Sequence, residues 1–212
     1  MNNLSKLKKL QRRLSLKEIL PIVEEYHSFF PDWINKKDKL IRVKDCIMQG
    51  IVFERLSYVS YRALGFIRIL TSPGKGALEL SQYLNVKVRN VDLRAHSRMK
   101  DKVIRAIKDE IIPKVDFPLV PIDVLKLYEK EAVPTTLEAY SLATLNSFFG
   151  KYDRTRYWSL RFNKLVEATA FPWQECDLER RRFLDKLEQW IEEEIVKDKL
   201  SAIIQEERKK LE

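Results

Sequence analysis

Three carboxylates and a lysine carry the chemistry that this chain could do: Glu54, Asp92, Asp123 and, three positions further on, Lys126. Carboxylates are hard oxygen ligands. One or two of them hold Mg²⁺, with waters and a substrate phosphate completing its shell. A metal held in that way lowers the pKa of a bound water and offsets the charge that builds on a phosphoryl centre. A neighbouring ammonium stabilises the same charge. The set fits metal-dependent phosphodiester cleavage, with Mg²⁺ as the expected ion and Mn²⁺ as its substitute. Two choices stay open. Glu79 competes with Asp92, because it lies nearer the loop at 72–76. On a regular strand, residues three apart point to opposite faces, so Asp123 and Lys126 meet only across a bulge. Otherwise Lys75 or Lys130 takes the lysine's place.

The elements that must position these groups follow from the patterning. Residues 50–65 read as a helix ending at Gly65, with Val52, Leu56, Val59 and Ala63 on one face. Ile47, Ile51, Glu54, Tyr58 and Tyr61 fall on the other. A helix apolar on both sides is sandwiched between layers, so Glu54 needs a cation, a donor or a proton. A structural pair with an arginine and a place beside a metal meet that need equally well. Residues 66–70 read as a strand, and Ser72-Pro-Gly-Lys-Gly76 as a turn. That loop is too short for a nucleotide-binding P-loop, though its N–H groups and Lys75 suit a phosphate contact. Residues 86–91 alternate as a strand leading to Asp92. Residues 117–128 read as a third strand carrying Asp123, and 156–162 as a fourth.

Helices are expected around these strands. Ser15 and Glu18 have capping-box spacing, opening a helix that runs to Phe30 and carries Pro21. A second helical region begins near Lys37. Residues 100–112 form an amphipathic helix closed by Pro113, and 135–149 a helix ended by Gly150. Residues 177–212 read as one long charged helix with Leu184, Leu187, Ile191 and Ile195 as its apolar stripe.

Composition narrows the partner. The chain has 212 residues, 45% of them apolar, enough for a sizeable core. Lys and Arg number 40 against 31 Asp and Glu, a net charge of +9, which favours a polyanion and most commonly nucleic acid. The run Arg94, His96, Arg98, Lys100 is either a solvated face or the wall of a DNA groove. No apolar run is long enough for a membrane span, and the basic N-terminus lacks the apolar core of a signal peptide. With only Cys46, Cys176, His27 and His96 available, neither a disulfide framework nor a zinc cluster is indicated. An intracellular setting is expected.

Several of these pieces occur together in one known family. Gly50-x-x-Phe53-Glu54-Arg55, Leu64-Gly65-Phe66, Ser72-x-Gly74, Val91-Asp92-Leu-Arg-Ala95 and the helix ending Phe149-Gly150 resemble the PD-(D/E)XK nuclease superfamily. Within it they are most similar to archaeal Holliday junction resolvases, and also resemble the nuclease-like proteins of archaeal spindle-shaped viruses. The resemblance covers about residues 48–163. It implies an α/β fold with a restriction-endonuclease-like mixed central sheet flanked by helices. Helical extensions at 1–47 and 164–212 would be additions to that core. It further implies a homodimer acting on branched DNA. Glu54, Asp92 and Asp123 would hold the metal, and Lys126 would assist the attacking water. Arg55, Ser72, Lys75 and Arg94 would contact DNA phosphate. Two other expectations compete: a nucleic-acid-binding protein that keeps the fold without the cleavage site, and a helical scaffold.

Overall fold

The computed structural model describes residues 14–57, 59–71, 80–83, 88, 90–115, 120–129 and 135–211. The chain is mixed α/β and falls into two compact units. Ser72, Lys75, Glu79 and Lys130, and half of the expected strand at 86–91, lie outside the described residues.

The first unit comprises residues 1–43, 48–67 and 80–118. It opens with α1 (Leu16–His27), whose first turn is closed by the Ser15 N–H donating to the Glu18 carboxylate at 2.6 Å. Five strands follow: β1 (Ile34–Lys36), β2 (Lys39–Lys44), β3 (Ile47–Ser57), β4 (Ser60–Ile69) and β5 (Leu80–Tyr83). They lie side by side in chain order, and a sixth, β6 (Val91–Asp92), pairs with β4. Pairing is antiparallel for β1–β2, β4–β5 and β4–β6. Only two positions separate β2 from β3 and β3 from β4, connections too short for anything but antiparallel neighbours. A 3₁₀ turn (Leu93–Ala95) then leads into α2 (His96–Ala106), which continues through a π-helical stretch, Ile107–Ile111, into the short α3 (Ile112–Val115).

The expected helix over the 50s is thus a strand, and so is the helical region expected from Lys37. The reason is burial on both faces. From Ile47 to Phe53 every residue of β3 is buried, so the run shows no period of two and its apolar residues fall on a helical wheel by accident. Its β-branched and aromatic content, Ile51-Val52-Phe53, suits a central strand. Gly50 sits within this run because backbone crosses it closely: a Cβ there would lie 2.2 Å from the Leu40 carbonyl oxygen.

The second unit comprises residues 44–47, 68–79 and 119–212. Its helices are α4 (Pro121–Glu129), α5 (Thr136–Phe148), α6 (Tyr152–Glu167), α7 (Glu175–Glu192) and α8 (Val196–Lys209). At the centre is α5, buried all round from Ala139 to Ser147 and packed against the other four. It begins at a capping box in which the Thr135 N–H donates to Glu138 at 2.6 Å and the Glu138 N–H to Thr135 Oγ1 at 3.2 Å. It ends, as expected, at Gly150 in the left-handed region (φ 70°). Buried Thr144 and Asn146 donate to carbonyls of α5 itself, Ser141 O and Leu142 O. Against α8, Arg68 donates to Glu207 at 3.0 Å in a pair only 15% and 8% exposed.

Here three expected elements change type or length. Of the strand expected over 117–128, the described residues 120–128 form none: Pro121 occupies the first position of α4, where its missing N–H costs nothing, and Pro121, Val124 and Leu125 are buried at helical spacing. Residues 156–162 lie in α6, where Thr155, Trp158, Phe162 and Val166 face inward. The single tail helix is two, because Glu194 takes a left-handed conformation (φ 60°) between α7 and α8.

Replacing Gly50 by alanine drives a methyl group into the Leu40 backbone, which cannot rotate away. The smaller conformational entropy of the unfolded alanine variant, ~0.4–1 kcal/mol, is outweighed by an overpacking cost of about 1–3 kcal/mol or more. Urea unfolding of Gly50→Ala should show a lower midpoint with an unchanged slope.

Candidate nucleic-acid interface

In the first unit, α1 and α2 are joined through β4 by a chain of polar side chains. The Tyr26 and Tyr61 hydroxyls are 2.8 Å apart, and Tyr61 OH lies 2.8 Å from His96 Nδ1. His96 Nε2 is 2.7 Å from Glu25 Oε2, and Lys100 Nζ donates to Glu25 Oε1. Both tyrosines are fully buried and His96 nearly so. The rings pack as well as hydrogen-bond: Tyr26 stacks on Phe53 at 4.8 Å and meets the His96 ring edge-on at 5.7 Å. A neutral imidazole with its proton on Nε2 satisfies the whole chain in one direction. Tyr26 donates to Tyr61, Tyr61 to Nδ1, and Nε2–H to Glu25. The two phenols are enclosed, while the Glu25 carboxylate at the other end of the chain is 40% exposed. Its work is to fix the position and rotation of α2.

The electrostatics follow from those contacts. The Lys100 ammonium, and after it the His96 hydrogen bond, hold the Glu25 carboxyl below its ordinary range. The same contact raises Lys100. Burial pushes both Tyr61 and Tyr26 well above the usual phenol range.

With its inner face fixed, α2 presents a different outer face. Arg98, Lys102 and Arg105 are exposed at spacings of four and three, one side of a helix, and exposed Arg94 precedes them by four. Among the described residues none of these four side chains is in an ion pair, although Asp101 and Asp109 are exposed on the same stretch. The basic run of the sequence therefore divides by phase. His96 and Lys100 turn in to Glu25, while Arg94 and Arg98 turn out and are joined by Lys102 and Arg105. Sequence reasoning missed the inward group. The available signal was a His and a Lys four apart on the stripe of Val103 and Ile107, where buried polar groups need partners.

The sequence-derived site residues are distributed as follows. Glu54 is on β3, not on a helix, and accepts from Arg62 Nε on β4 at 2.5 Å, a cross-strand pair with the carboxylate 42% exposed. Arg55 donates to the Leu14 carbonyl at 3.0 Å and tethers the chain before α1. Asp92 ends β6 and caps the 3₁₀ turn, accepting from the Arg94 N–H at 2.8 Å. Asp123 and Lys126 lie on α4, a helix rather than a strand. Residues three apart there share a side of the helix, so no bulge is needed. Glu54 and Asp92 belong to the first unit, Asp123 and Lys126 to the second. Among the described residues no group of three His, Cys, Asp or Glu side chains could hold a metal ion, and no helix is long and apolar enough to cross a membrane.

The polar chain makes stability depend on pH at both ends of the scale. A carboxyl with a lowered folded pKa contributes stability above its ordinary value of 4.5 and loses it as pH falls through the folded value. Glu25→Gln should flatten the acid limb of a plot of urea midpoint against pH. Phenols with raised pKa values act at the other end. Above about pH 10 the unfolded chain ionises them and the native one does not, so stability falls as pH rises. Ultraviolet titration should leave Tyr26 and Tyr61 protonated until the chain unfolds. Tyr26→Phe with Tyr61→Phe should remove that lagging pair.

Set against known proteins, the chain matches no family model, no curated protein and no solved structure, so the chemistry of its own residues carries the functional argument.

Proposed function

We propose that this protein binds nucleic acid through phosphate contacts made by the outer face of α2, without cutting it. The observation that carries this reading is the exposed row Arg98, Lys102 and Arg105 on a helix whose inner face is held by hydrogen bonds to Tyr61 and Glu25, with exposed Arg94 in the 3₁₀ turn just before it. Rigid presentation matters, because a phosphate contact made by a preorganised side chain costs less ordering entropy. The axial distance from Arg98 to Arg105 is about 10 Å at ~1.5 Å per residue, enough for two or three phosphates of one strand at ~3.4 Å rise. Guanidinium groups suit such contacts through their paired N–H donors. Contacts of this kind fix register on a backbone and carry no base information, so binding tolerant of sequence is expected. The net charge of +9 supports the same partner.

Cleavage asks more of the chain than binding does. It needs Glu54, Asp92 and Asp123 to act together, and Glu54 is engaged by Arg62 while Asp92 caps a turn. Binding without cleavage uses exposed side chains that are in no ion pair among the described residues.

Fluorescence anisotropy with a labelled DNA duplex tests the proposal over a salt series. The logarithm of the binding constant should fall with the logarithm of salt by about 0.9 per phosphate engaged. The triple variant Arg98→Ala, Lys102→Ala, Arg105→Ala should bind more weakly and shed roughly 2–3 from that slope. Equal affinity and slope in variant and parent would overturn the reading. A four-way junction with Mg²⁺ or Mn²⁺ should remain intact. Cutting that is lost in Asp92→Ala or Asp123→Ala would establish the metal-dependent nuclease instead.

A further inference from the structure

The end of α1 sets an aromatic ring beside the basic helix. Phe29 follows the last turn of α1 and is 40% exposed. Among the described residues of the first unit, every other aromatic ring is buried. Its backbone is held on both sides. The Phe29 N–H donates to the Tyr26 carbonyl at 3.0 Å, and the Phe30 N–H to the His27 carbonyl at 2.9 Å. The Phe30 ring packs edge-on against Trp33 at 6.1 Å. An exposed apolar residue taken singly is ordinary. Phe29 is distinguished by its neighbours, which are cations.

Contacts along α1 and its last turn follow the order of residues along α2. Glu25 meets His96 and Lys100, the Phe29 ring lies 5.8 Å from Lys100 Nζ, and the Phe30 ring lies 5.9 Å from Lys108 Nζ. The two segments therefore run side by side in the same direction. Packed helices are ~8–10 Å apart, so the Phe29 ring stands about one helix width from the row Arg98, Lys102 and Arg105. Lys100 is engaged by Glu25. Exposed Lys108 is in no ion pair among the described residues and extends the row. From Arg94 to Lys108 six bases stand against one acid, Asp101.

A ring and a row of cations suit different parts of one ligand. The cations take phosphates, and the ring takes the face of a base by stacking. In a duplex the base faces are covered by their neighbours, and only the edges open into the grooves. An unpaired strand offers the faces. We propose that the nucleic acid bound at α2 is single-stranded, with one base stacked on Phe29 and adjoining phosphates on Arg98, Lys102, Arg105 and Lys108. The proposal rests on the α2 reading and adds to it the strandedness of the ligand. Stacking accepts any base, in keeping with phosphate contacts that carry no sequence information.

Fluorescence anisotropy of the full chain with labelled oligo(dT), oligo(U) and duplex DNA of equal length tests it at one salt concentration. A single strand should bind more tightly than the duplex, and the tighter of the two identifies DNA or RNA as the ligand. Phe29→Ala should weaken single-strand binding roughly five- to 150-fold, the span of base–aromatic stacking, and leave duplex affinity unchanged. Phe29→Leu keeps an apolar side chain without a ring face and should lose single-strand affinity likewise. Phe29→Tyr should bind as the parent does. Circular dichroism of each variant confirms that it is folded. A duplex bound as tightly as both single strands overturns the inference and leaves the α2 reading standing. So does a single-strand preference that survives both Phe29→Ala and Phe29→Leu. If the triple variant Arg98→Ala, Lys102→Ala, Arg105→Ala binds every probe as the parent does, the α2 reading itself fails and this inference with it.

Discussion

The first unit depends on one continuous line of hydrogen bonds, from Tyr26 through Tyr61 and His96 to Glu25 and Lys100. Its members come from α1, β4 and α2, elements that share no local sequence. Apolar packing alone would bury these faces but would allow a helix to slide or rotate by a residue at little cost. A directional chain does not: moving α2 by one position takes His96 out of reach of both Tyr61 and Glu25 and leaves buried hydroxyls unpaired, at about 1–3 kcal/mol each. Fixed rotation of α2 is what makes its outer face a defined surface.

That constraint also bears on which chemistry the chain supports. Acids tied to a structural cation or a turn are poor metal ligands until released, and Glu54 and Asp92 are both tied in that way. The exposed bases of α2 have the opposite character. Among the described residues they make no ion pair, so binding a phosphate would break none and would release counterions.

Legibility followed the directness of the local signal. The capping box at Ser15, the left-handed stop at Gly150 and the strand character of 66–69 were all readable, because each rests on a few adjacent residues. β3 was misread because burial on both faces erases the alternation that marks a strand. α6 was misread for the converse reason. Trp158, Leu160 and Phe162 alternate with polar neighbours, but only Trp158 and Phe162 are buried, and Leu160 is mostly exposed. An exposed apolar residue on a surface thus imitated the period of a strand. Of the candidate site, Arg94 and Arg98 were visible as a charged run, and the acids were visible by type. Their partners were not, since Glu54 meets Arg62 only once β3 and β4 pair.

Composition could never have divided the basic residues into those that hold the fold and those that face a ligand. Lys100 and Lys102 are the same residue type two positions apart. On a helix that spacing is about 200° of rotation, which sends one ammonium to Glu25 and the other to solvent. His96, four residues before Lys100, falls in with it on the inner side, and Arg98, four before Lys102, falls in with the outer one. The net charge of the chain states only that a polyanion is favoured. The helical phase of α2, set by a buried histidine, selects the cations that can meet it.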